Sequence, residues 1–99
     1  MANLLILPAA RAELDRAYAY YQVHGSQRAA EGFFSDVLDA FAKIAASPEL
    51  WPAEDDEVYR FFALKRHSYV IYYRIEDPEN VRVVAVPHSS QQRGCWRGR

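Results

Sequence analysis

The sequence predicts an α+β domain: a short N-terminal strand, an antiparallel helical hairpin, then a three-stranded antiparallel meander, with the helices on one face of a small, mostly antiparallel sheet. Three observations carry this expectation. Apolar residues recur at helical spacing twice in the first half of the chain, with only two or three residues between the two patterns. The stretch from Val58 to His88, VYRFFALKRHSYVIYYRIEDPENVRVVAVPH, holds three strand-length apolar runs separated by short polar breaks, Lys65 to Ser68 and Asp77 to Asn80. A length of 99 residues suits one domain over 1–99 with a single two-layer core, the residues from about 90 onward forming a tail.

Each element has a local reason. After the first strand, Pro8 stands where the first turn of a helix tolerates proline, and Ala10, Leu14, Ala17, Tyr18 and Tyr21 follow at helical spacing to about Val23. Gly25 is expected to close this helix in the left-handed conformation, and Ser26 to cap the next. In the second helix Ala30, Phe33, Phe34, Val37, Leu38, Phe41, Ile44 and Ala45 form a wide apolar stripe, opposite Glu31, Ser35, Asp36, Asp39 and Lys43. Ser47 ends it, because Pro48 disfavours the helical region for its predecessor. The short link makes the pair an antiparallel hairpin, and the sheet is the surface its stripe is expected to cover.

The loop from Glu49 to Glu57 contains Trp51, expected to plug the end of the hairpin, and four consecutive acids, Glu54 to Glu57, that read as a solvated turn. Along the second run of the meander, Tyr69, Ile71, Tyr73 and Ile75 share one face, expected beneath the helices, while Val70, Tyr72, Arg74 and Glu76 share the other. The third run alternates Val81, Val83 and Ala85 against Arg82, Val84, Val86 and His88, both sets largely apolar. That pattern belongs to a strand away from the edge, beside the N-terminal strand.

Composition excludes several classes. Half the residues are hydrophobic and a quarter charged, the profile of a soluble globule. A lone cysteine, Cys95, excludes an internal disulfide and a cysteine-pair metal site. His24, His67 and His88 are too scattered in sequence to suggest a metal centre, and no nucleotide-binding glycine loop or nucleophile elbow occurs, so no cofactor and no metal are expected. The early apolar run Leu4 to Leu7 lacks a basic leader and is too short for a signal peptide or a membrane span, which points to a cytoplasmic protein without membrane contact.

The net charge of −1 conceals a polarity. Residues 1–57 carry four cations against ten acids, a net −6, and residues 58–99 carry eight cations against three acids, a net +5. Either the basic half meets an acidic partner, or helices and sheet neutralise each other within the fold. Arg60, Lys65, Arg66, Tyr72, Arg74, His88, Arg93 and Arg97 fall on or near one sheet, a set able to grip phosphate. A metal-independent ribonuclease could be built from Arg60, Arg74, His88 and Arg93, the histidine acting as acid or base, the arginines stabilising charge on phosphorus and Tyr72 donating a hydrogen bond. Each residue also has a plain structural use: strand arginines block edge pairing and strand tyrosines pack half-buried.

Order and residues together resemble the ParE branch of the RelE/ParE toxin superfamily, also called plasmid-stabilisation proteins. The resemblance rests on PAARAELDRAYAYY, on the hairpin ending ASPELWP, on Arg60 with Phe61 and Phe62, on the run from Tyr69 to Arg74, and on the strand ending at His88 before a tail with Trp96 and Arg97. It implies the toxin of a type II toxin-antitoxin module, neutralised by an antitoxin that wraps it and inhibiting growth through DNA gyrase. RelE-like relatives instead cleave messenger RNA on the ribosome. The slight net acidity favours the gyrase branch, because a polyanionic substrate rewards cations, and it argues against direct nucleic-acid binding. ParE relatives carry an arginine pair soon after the strand-ending histidine, where this chain has Ser89, Ser90, Gln91 and Gln92 before Arg93. A degenerate member that binds antitoxin without toxicity therefore stays open, as does a homodimer. The expected binding residues are Arg60, Lys65, Arg66, Tyr72, Arg74, Arg93, Trp96 and Arg97, with antitoxin docking in apolar grooves beside the hairpin and on the basic sheet.

Overall fold

The computed structural model describes residues 1–55, 57–91 and 99. The elements run β1 (Asn3–Ile6), α1 (Pro8–His24), α2 (Gln27–Ala46), β2 (Tyr59–Ala63), β3 (Val70–Asp77) and β4 (Asn80–Ala85). The sheet order is β1-β4-β3-β2, with β1 parallel to β4 and the remaining pairs antiparallel. The first two strands in sequence are thus the two edges, and the helical hairpin between them crosses one face of the sheet. The third apolar run lies inside the sheet beside the N-terminal strand, as its two apolar faces imply.

Most local signals act as read. Pro8 opens α1, and the Ser26 hydroxyl accepts from the Ala29 amide at 3.0 Å to cap α2. Gly25 differs from expectation. It closes α1 at φ −118°, outside the left-handed region, with its amide donating to the Tyr21 carbonyl. A Cβ there would lie 2.8 Å from that carbonyl oxygen and 3.0 Å from the Ala29 Cβ, so close approach of the two helices, not handedness, requires glycine. The β3-β4 turn is tighter than its polar residues imply: Asp77 and Asn80 belong to the strands, and the Asp77 carboxylate accepts from the Glu79 amide at 2.8 Å.

The inner face of the sheet holds the main core. Ile71 and Tyr73 of β3, Val81 and Val83 of β4 and Phe62 of β2 pack against Ala10 and Ala17 of α1 and Phe33, Val37, Ala40 and Ile44 of α2. The Tyr73 hydroxyl, wholly buried, donates to the Pro48 carbonyl at 2.6 Å and ties the end of the hairpin to the sheet. Trp51 meets Phe62 edge to face at 4.6 Å and donates to the Lys43 carbonyl, closing the end of α2 as expected.

Two expectations are corrected. The register shifts between Tyr72 and Tyr73, so that Tyr72 faces Ala85 and Tyr73 faces Val83, leaving Val84 as a bulge. Beyond it the alternation inverts: Val86 joins the inner core, while Ala85 and Val84 join the outer cluster. The outer face, where Tyr72 was expected beside cations in a phosphate-gripping set, is also apolar over much of its extent. Tyr59, Tyr72, Val84 and Ala85 form a buried cluster there with Leu7, Phe61 and Val70 against it.

Candidate partner-binding surfaces

The wide apolar stripe of α2 divides into two parts. Phe33, Val37 and Ile44 enter the core, whereas Phe34 and Leu38 remain 52% and 51% exposed. They line an open groove of about 500 Å³ together with Phe41, Leu14 and Tyr18 of the hairpin and Ile6 of β1, with Arg11 and Asp15 on its rim. The expectation that the sheet covers the whole stripe fails at this edge, where none of the other described residues buries Phe34 and Leu38 fully. Arg11 and Asp15 pair at 3.5 Å with both side chains about 70% exposed, a contact worth little stability and easily exchanged for a partner's charges.

Ile6 places the groove against the edge of the sheet. Asn3 donates to the Glu79 carbonyl at 2.7 Å and Leu7 to the Val83 carbonyl at 3.0 Å, so the backbone groups of Leu4 and Ile6 point away from β4, to a side where no strand of the described residues follows in the sheet order. Groove and bare edge form one continuous surface. Both are the features by which folded domains take up an amphipathic helix or an added strand.

Among the described residues, the cationic residues read from the sequence do not converge. Arg60 lies opposite Tyr73 on the inner side of the edge strand, where its Nη1 donates to the carbonyls of Trp51 at 2.7 Å and Glu49 at 3.2 Å. It anchors the loop after α2. Arg74 is exposed on the outer face, opposite Tyr59 and Arg82. Arg82 is paired with Glu76 at 2.8 Å. Tyr72 is buried in the outer aromatic cluster, meeting Phe61 at 6.0 Å. Lys65 and Arg66 are exposed on the β2-β3 turn. The bulge carries His88 to the inner side, where it bridges to Tyr69 with the rings edge to face at 5.1 Å. Arg60, Arg74 and His88 therefore occupy three separate places. Arg93, Trp96 and Arg97 lie outside the described residues.

The β2-β3 turn is fixed by a pair the sequence reading did not single out. His67 Nδ1 donates to Asp36 Oδ2 at 2.8 Å, the Arg66 amide donates to the same oxygen at 3.1 Å, and the two side chains are 15% and 11% exposed. Burial pushes the Asp36 carboxyl up, but the hydrogen bonds from His67 and the Arg66 amide, with their charges, outweigh it and hold the group below its ordinary value. Tyr21 and Phe33 flank the imidazole edge-on. Only Asp36 at a helical position that should face solvent hinted at this, and its partner is thirty-one residues away.

Among the described residues no group of three or more His, Cys, Asp or Glu could hold a metal ion, and no helix is long and apolar enough to cross a membrane. Among the described residues the domain is thus a helical hairpin on a sheet, with an open apolar groove on the hairpin and dispersed cations. A family model, the ParE toxin of the type II toxin-antitoxin system parDE, matches residues 4–93, and the chain belongs to that family. Among solved structures, a chain of the chromosomal ParDE toxin-antitoxin system from P. aeruginosa is similar at a TM-score of 0.76. It shares 18% identity over 89% of this chain and 96% of its own length, and at that identity the likeness concerns the fold. No curated protein sequence matches the chain.

Proposed function

We propose that this ParE toxin acts by binding, with DNA gyrase as its target, and that a cognate antitoxin silences it by laying an amphipathic helix in the groove between α1 and α2. The observation that carries the reading is the groove itself, where Phe34 and Leu38 stay half exposed although they continue the apolar stripe of a core helix. Exposed apolar side chains in a contiguous concavity favour a partner that buries them. An antitoxin segment disordered until it binds would supply that helix, and its continuation could add to the bare edge of β1.

Binding is favoured over RNA cleavage because Arg60 is committed to two loop carbonyls and lies on the opposite side of the sheet from Arg74, with His88 on a third site. A nuclease needs such groups around one phosphate. The gyrase assignment rests on kinship with the ParE branch and on a net charge of −1, which suits a protein target.

The experiment is expression of the chain with and without the small neighbouring gene, scoring growth and DNA supercoiling. The reading expects arrest with altered supercoiling, relieved by co-expression of a neighbour that co-purifies with the chain. Arrest with intact topology and cleaved messenger RNA, abolished by His88→Ala or Arg74→Ala, would establish the nuclease instead. Growth without arrest would mark a non-toxic member.

A further inference from the structure

We propose that a small pocket between α1 and the end of β4 binds a phosphoryl group, held by Arg16, His88 and Tyr69. The pocket has about 120 Å³ and is bordered by Arg16, Ala17, Tyr69, Val86, His88 and Gln91, with Glu13 at its side. At about 30 Å³ per water, that is the space of some four waters, too small for a drug-sized ligand and suited to one tetrahedral oxyanion.

The polar atoms present donors. The Ser90 amide donates to His88 Nδ1 at 3.1 Å, and the Ser90 hydroxyl lies 2.7 Å from the same nitrogen. An accepting Nδ1 places the ring proton of the neutral imidazole on Nε2, the edge turned away from Ser90. Tyr69 stands edge to face with His88 at 5.1 Å, and burial raises its phenol above the ordinary value, so it stays a neutral donor. The Glu13 carboxylate at the pocket's side is offset by its ion pair with Arg99, whose Nη1 donates to Oε1 at 3.0 Å, the same oxygen that accepts from the Val86 amide at 3.1 Å. Arg16 has no ion-pair partner among the described residues and brings the charge. A guanidinium with an imidazole N–H and a phenol makes a phosphate site, and one uncompensated cation makes a weak one.

The inference is independent of the groove, and the bulge is what creates it, since without the inversion at Val84 the His88 ring would face the other side of the sheet. Two-dimensional NMR of the full chain, titrated with inorganic phosphate, tests it. Saturable shifts of the His88 ring and of the amides around Ser90 are expected, with at least a tenfold weaker response in Arg16→Ala and partial recovery in Arg16→Lys. Arg28→Ala removes the same charge from exposed α2 and should bind like the parent. A parallel titration with a nucleoside 5′-monophosphate distinguishes a site for free phosphate from one for a phosphate ester. Non-saturating shifts, or equal losses in the Arg16 and Arg28 variants, would overturn the proposal.

Discussion

Arg60 and Arg74 look equivalent as strand arginines, yet only one is committed within the fold. Replacing Arg60 by alanine removes two hydrogen bonds to the loop after α2 and should destabilise the domain by about 1.5–3 kcal/mol in urea unfolding, the range for bonds to a charged group. Arg74→Ala, on the exposed face, should stay within about 0.5 kcal/mol. Titration separates two further residues. The Asp36 carboxyl is held low in the fold, so its contribution is fully present above the ordinary value of 3.8 and is lost as pH falls through the lower folded value. Asp36→Asn should flatten that acid limb of the stability profile. Tyr73 is pushed up to about 12 by burial, against the opposing pull of Arg60, so its contribution is full below 10.0 and is lost as pH rises through about 12. Tyr73→Phe should remove that part of the alkaline limb and cost about 1–3 kcal/mol at neutral pH by leaving the Pro48 carbonyl unpaired.

At the scale of elements, Gly25 is the sharpest constraint on the hairpin. Gly25→Ala brings a methyl against the Tyr21 carbonyl and the Ala29 Cβ and should cost about 1–3 kcal/mol, read as a lower urea midpoint with an unchanged slope. Both helices, their Ser26 cap and the strand periods were legible in the sequence because each is a local pattern. The bulge at Val84 was not, since it depends on how β3 and β4 settle against each other, and a shift of one residue reassigns Val86 and His88 to the other face. The separation of Arg60, Arg74 and His88 was illegible for that reason and for another: no local signal says that Arg60 turns to the carbonyls of a loop nine and eleven residues back. Apolar grooves beside the hairpin were expected from the family resemblance, whereas the stripe on α2 was expected to lie wholly on the sheet, and nothing local showed the share of Leu14, Tyr18 and Ile6 in the groove's walls.

For the whole molecule, the acidic first half and basic second half are joined within one fold, as Arg99 with Glu13 illustrates, so the charge polarity of the sequence is partly internal. The largest apolar feature the described residues leave open is the groove of the hairpin, and beside it lies the edge of β1 with its outward backbone groups. The affinity of the co-expressed antitoxin for the chain and for its Phe34→Asp/Leu38→Asp double variant tests the central claim most directly, with unfolding of each measured in parallel. Both residues are half exposed, so stability should be nearly unchanged, while the loss of two anchors of about 2 kcal/mol each should weaken binding by 100-fold or more. An equally stable double variant that binds the antitoxin as tightly as the parent chain would contradict the account.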